Sequence, residues 1–76
     1  MNERVANTIA EVMSVPADQI NEDSSPDTIE NWDSLQHMNL ILALEEEFDV
    51  KFTDDEIASM VSAKVIAETV EAKDKT

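Results

Sequence analysis

The chain has 76 residues, with 18 acids against 5 bases and a formal net charge of −13. At this length about 60% of the unfolded surface is buried on folding, which suits one domain over residues 1–76 with a modest core and excludes a roomy catalytic pocket. The charge disfavours nucleic acid and anionic membranes as partners and favours proteins with basic patches. It also strains the compact state by self-repulsion, so salt or divalent cations are expected to raise stability.

No cysteine is present, so neither a disulfide nor a thiolate metal site reinforces the fold. No apolar run of signal-peptide type follows the first residues, and nothing approaches the roughly 18 apolar residues of a membrane span. A soluble, cytoplasmic protein is expected. Glycine is absent and the prolines are two, Pro16 and Pro26. Tight hairpin turns depend heavily on glycine, so the expected fold is all-α: a four-helix bundle, three longer helices and one short, with a long loop between the first two.

The first helix is predicted from Glu3 to Met13. Val5, Ile9, Val12 and Met13 fall at helical spacing on one side, with Glu3, Arg4, Asn7 and Glu11 largely outside that stripe. Pro16 is expected to close it, because the residue before a proline avoids the helical region. A connection rich in Asp, Asn, Ser and Pro then runs from about Ser14 to Trp32, with Val15, Ile20 and Ile29 as anchors and a short helical turn near Asp18. So long a loop in a small domain is often functional. Ser24 and Ser25 are read as loop and turn residues.

The second helix is predicted from Asp33 to Phe48, with Asp33 as N-cap and Gln36 completing a capping box. Its end is less marked, since Asp49 is not a glycine. A short third helix is predicted over about Asp54 to Met60, entered through a Thr53–Glu56 capping box. Ser62 caps a last helix to about Ala72, with Ala63, Ile66, Ala67 and Val70 inward. The tail from Lys73 is expected to fray.

At 100° per residue, the second helix separates into three groups. Leu40, Ile41, Leu44 and Phe48 cluster on one side with His37 among them; Gln36, Asn39, Glu46 and Glu47 spread over a polar side. Leu35, Met38 and Leu42 form a third stripe, flanked by Glu45 and Glu46. One buried side suffices for a helix in so small a bundle. The surplus stripe is therefore covered by the long loop, packed as extra core, or open to a partner with a basic rim around an apolar groove.

Ser34 stands at the head of this helix, where unpaired N–H groups and a positive macrodipole favour an anion on its hydroxyl. Serine is equally ordinary capping material there, and local physics leaves both roles open. His37 lies one turn on, but no second histidine or cysteine exists to build a nucleophile–base pair, so a half-buried packing histidine is expected. The clusters Glu45–Glu47 and Asp54–Glu56 lack the alternating ligands and central glycine of a calcium loop, so no specific metal site is expected.

The segment Asp33-Ser34-Leu35, followed by Leu40-Ile-Leu-Ala-Leu-Glu-Glu-Glu-Phe-Asp-Val through Val50, resembles the acyl carrier protein family. Its members carry 4′-phosphopantetheine on a serine at the start of the second helix. The resemblance runs from Val5 to about Val70 and is specific over Trp32–Phe52. It implies a carrier and not an enzyme: Ser34 would bear the covalent arm, with Asp33 and Leu35 completing the attachment motif and Asp33 orienting the site. Leu35, Met38, Leu42, Glu45 and Glu46 would meet the partners. Those would be a phosphopantetheinyl transferase and acyl-transferring or acyl-activating enzymes with basic docking patches, visited by a monomer. Trp32 stands where many fatty-acid carriers have a small residue, and Gln36 and Asn39 are uncharged where those are often acidic. These departures point to a specialised biosynthetic pathway. A peptidyl or aminoacyl carrier of the same mechanism, or an acidic helical adaptor, is the alternative. Trp32 either packs against the loop or lines the partner surface.

Overall fold

The computed structural model describes residues 2–73. Within them the chain forms four α-helices and one 3-10 turn: α1 over Glu3–Met13, the turn over Ala17–Gln19, α2 over Ser34–Phe48, α3 over Asp54–Ser59 and α4 over Ala63–Lys73. Among the described residues there is no strand, and the all-α expectation holds. The expected fraying of 74–76 lies outside the described residues. Lys73, expected at the start of that tail, instead closes α4, its ammonium 2.9 Å from a Glu56 carboxylate oxygen and over the Phe52 ring.

The helix starts follow local hydrogen bonding. Asn2 caps α1, its side-chain oxygen accepting from the N–H groups of Arg4 and Val5. Thr53 and Glu56 form the reciprocal capping box at α3. Asp33 caps α2 by accepting from the Gln36 N–H at 2.8 Å. The box expected there is only half made. The Gln36 amide is drawn across the interface, donating to the Val12 carbonyl of α1 at 3.0 Å, and its oxygen accepts from Asn39.

Two helix ends needed a residue that glycine usually supplies. Ser14 (φ 60°, ψ 42°) and Asp49 (φ 55°, ψ 51°) both adopt the left-handed conformation. The N–H of Ser14 reaches Ala10 and Glu11, and that of Val15 returns to the Ala10 carbonyl at 3.0 Å. The left-handed turn at Ser14, two residues before Pro16, thus terminates α1. Asp49 and Val50 close α2 in the same way on the Glu45 carbonyl.

One connected core joins the helices. α1 contributes Val5, Ile9, Ala10 and Met13, α2 contributes Leu40, Ile41, Leu44 and Phe48, and α4 contributes Ala63, Ile66, Ala67 and Val70. The expected inner faces of α2 and α4 are those observed. On α1 Ala10 is buried while Val12 packs only partly against the core. The long loop adds Ile20, Ile29 and Trp32, with Val15 partly buried beside them. Loop carbonyls also cap α4: Ala63 donates to Ser24 at 2.8 Å and Lys64 to Glu22 at 3.2 Å. The Ser62 hydroxyl accepts from Val65 at 3.4 Å, so the leading N–H groups of α4 are paired.

Candidate functional site

Ser34 is the first residue of a 15-residue helix and is exposed. Its neighbour Asp33 already performs the capping. The Ser34 hydroxyl is thus not required as a cap, and the two roles left open by local physics separate onto two residues. The N–H groups of the first helical turn have no intrahelical acceptors and sit at the positive end of the macrodipole. A phosphodiester on this hydroxyl would meet favourable electrostatics and no steric wall. The residues present therefore fit a covalently held phosphopantetheine arm.

The surplus stripe of α2 is open. Leu35, Met38 and Leu42 are 70%, 47% and 61% exposed, and neither the loop nor the core covers them. Glu46 lies exposed at the flank of this stripe. Glu45 is half-buried, and one of its oxygens accepts from the Phe52 N–H at 3.0 Å, holding the connection between α2 and α3. Of the five expected partner residues, four thus present their side chains outward and one is engaged within the fold. Val61, also exposed, adds an apolar side chain near this surface that its lone position in the sequence did not signal.

Ser34 borders a groove of about 800 Å³ between the loop, α2 and α3, lined among others by Asp27, Trp32, His37, Met38, Ile57 and Val61. Trp32 is buried, at 2% exposure, and so belongs to the packing and not to an open partner surface. Its indole Nε1–H donates to Nδ1 of His37 at 3.0 Å. Indole nitrogen can only donate, so the ring proton of His37 lies on Nε2, which donates to the Ile57 carbonyl at 3.2 Å. The half-buried histidine is therefore a tie between loop, α2 and α3. Periodicity gave its position at the helix edge, but no spacing rule could anticipate a carbonyl acceptor from another helix.

Elsewhere two acidic residues form ion pairs. Glu47 pairs with Arg4 at 3.2 Å, and the Arg4 guanidinium stacks 4.4 Å over Phe48. Glu56 is held below the ordinary carboxylate range, first by the Thr53 backbone N–H and then by Lys73. Among the described residues no group of three acids or histidines is arranged to hold a metal ion, and no helix is long and apolar enough to cross a membrane.

Residues 3–71 match the family model described as the phosphopantetheine attachment site. The chain is 34% identical over 70 residues to the acyl carrier protein of Clostridium acetobutylicum, spanning 92% of this chain and 91% of that one. Its fold is similar to the solution structure of a holo acyl carrier protein from Geobacter metallireducens. The TM-score there is 0.83 at 28% identity, over 92% of this chain and 80% of the other.

Proposed function

We propose that this chain, which belongs to the acyl carrier protein family, bears its 4′-phosphopantetheine on Ser34 and serves a specialised biosynthetic pathway. Carriers of this family are not enzymes, and the chain carries phosphopantetheine covalently. The observation that carries the assignment to Ser34 is the division of labour at the head of α2. Asp33 satisfies the Gln36 N–H, while the adjacent hydroxyl is exposed on the first residue of the helix.

In the modification, the Ser34 oxygen would give its proton to a base of the transferase and bond to the phosphorus of the phosphopantetheinyl half of coenzyme A, as the pyrophosphate bond breaks and the nucleotide half leaves with its phosphate. The group supplies a terminal thiol that holds an acyl cargo as a thioester. Everything else is done by the chain's own residues. Asp33 caps the helix and so fixes the position of the adjacent serine, while the N-terminal turn of α2 offsets the phosphate charge. Leu35, Met38 and Leu42 give an apolar strip, with Glu46 and the overall charge of −13 drawing enzymes with basic docking patches. Residues 1–76 act as one cytoplasmic, monomeric domain that visits each partner transiently.

The deciding experiment is intact-mass measurement after incubation with coenzyme A and a broad-specificity phosphopantetheinyl transferase. The wild type is expected to gain one phosphopantetheinyl mass and Ser34→Ala none. A gain in both, or in neither, overturns the assignment. Trp32, Gln36 and Asn39 support the specialised pathway, because they depart from the small and acidic residues common in fatty-acid carriers.

A further inference from the structure

The groove beside Ser34 can accommodate a tethered group in two ways, along its surface or by parting α2 from α3 and admitting the group to the core. Trp32, His37 and Ile57 stand where these elements meet. Trp32 ends the loop, His37 belongs to α2 and Ile57 to α3, and the two hydrogen bonds through the imidazole join all three. The indole and imidazole planes lie within 22° of parallel, with centroids 6.2 Å apart. Leu40, Leu44, Met60 and Ile66 are fully buried in the packed core.

A chain entering between α2 and α3 at His37 has to displace the imidazole. That breaks both hydrogen bonds and removes the acceptor of the Trp32 N–H. It must also expand a close-packed interior, which resists added volume. The groove itself offers a mixed lining, with Asp27, Asp33 and Asp54 among its residues, so an apolar chain laid along it is only partly withdrawn from water.

We infer that Trp32 and His37 form a plug that keeps the carried group out of the core and matches this carrier to short or polar acyl groups. The inference deepens the carrier reading and rests on attachment at Ser34. Both residues are specificity-determining through exclusion, and neither touches the reacting thioester.

The test loads the whole chain with pantetheine analogues that end in an environment-sensitive fluorophore on a short or a long alkyl spacer. Intact mass first verifies loading on Ser34. Wild type is expected to give the same water-like emission with both spacers. In Trp32→Phe/His37→Val both polar partners are replaced together, and the Ile57 carbonyl keeps the Met60 N–H at 3.3 Å, so no group is orphaned. That variant is expected to shift only the long-spacer emission to the blue. His37→Gln, which retains a donor and an acceptor, is expected to behave as wild type.

Blue-shifted long-spacer emission in the loaded wild type overturns the plug, and so does water-like emission in the loaded double variant. Absence of mass gain on Ser34 overturns the carrier reading and the plug with it. The first two outcomes leave attachment standing, so the two failures are told apart.

Discussion

The N–H of Ala63 donates to the carbonyl of Ser24 at 2.8 Å, across 39 positions of sequence, so the loop before α2 caps the start of α4. Ser24 is itself buried, at 3% exposure, and its hydroxyl accepts from the Asn21 N–H at 3.0 Å. Ser24→Ala leaves that N–H unpaired and is expected to cost about 1 kcal/mol. Chemical denaturation checks the loss, and hydrogen exchange should quicken at Ala63 and Lys64. Unchanged exchange there would mean the loop carbonyls hold their place without the serine.

At the head of α2, Asp33 caps the helix and is proposed to orient the attachment site. Two substitutions separate these roles. Asp33→Ala removes the cap and is expected to cost about 1 kcal/mol, whereas Asp33→Asn keeps an acceptor at the same place and little stability is lost. Both should slow modification by the transferase, since the carboxylate is gone in each. Wild-type rates for the Asn variant would assign Asp33 to capping alone.

Leu35→Asp and Leu42→Asp alter side chains that already lie in water. Stability should change by no more than about 0.5 kcal/mol, as for surface sites without a special role. Recognition should suffer far more. A fall of about tenfold in kcat/KM of the modifying transferase, the equivalent of 1.4 kcal/mol, is expected for a side chain central to an interface. Equal rates for wild type and both variants would show that the stripe is not a docking surface for that enzyme.

Glu56 gives a pH dependence of known sign. Its carboxyl is held below the ordinary range chiefly by the Thr53 backbone N–H, with Lys73 adding to the effect. The folded state therefore binds this proton less readily than the unfolded state. The stabilisation is complete above the unfolded value and is lost as the pH falls through the depressed folded one. Acid also relieves the repulsion among 18 acids, so the quantity to measure is the difference between wild type and Glu56→Gln. Glutamine keeps an acceptor for the Thr53 N–H and loses the ion pair with Lys73. The gap in melting temperature should be present near neutrality and close in strong acid; a gap independent of pH would contradict the linkage.

The net charge of −13 predicts a melting temperature that climbs with ionic strength, because screening shortens the reach of like-charge repulsion. Thermal melts from low to high sodium chloride read this directly, and a flat profile would rule out repulsion as a main influence on stability. The local pairs Arg4–Glu47 and Lys73–Glu56 are screened too, but they are few.

Much of this fold is legible in the residues. The bounds of α1 and the buried faces of α2 and α4 follow from periodicity, which is a local property. Leu35, Met38 and Leu42 stand out as surplus because one apolar side already fills the core. Three features lie beyond such reasoning, each because its partner is distant in sequence. Gln36 abandons its capping box for a carbonyl on α1. Ser24 and Glu22 cap α4 through their backbones, which carry no residue signature. The tie at His37 depends on Trp32 and on a carbonyl of α3.

The left-handed ends at Ser14 and Asp49 show where this molecule holds strain. Side chains with a Cβ are disfavoured in that region by roughly 1–2 kcal/mol, and glycine is free of the penalty. Both helix ends therefore carry tension that a change to glycine relaxes. Neither residue is among those lining the groove that Ser34 borders. A sturdier version of this protein is thus expected from changes at these two helix ends alone, with the groove and its bordering serine untouched.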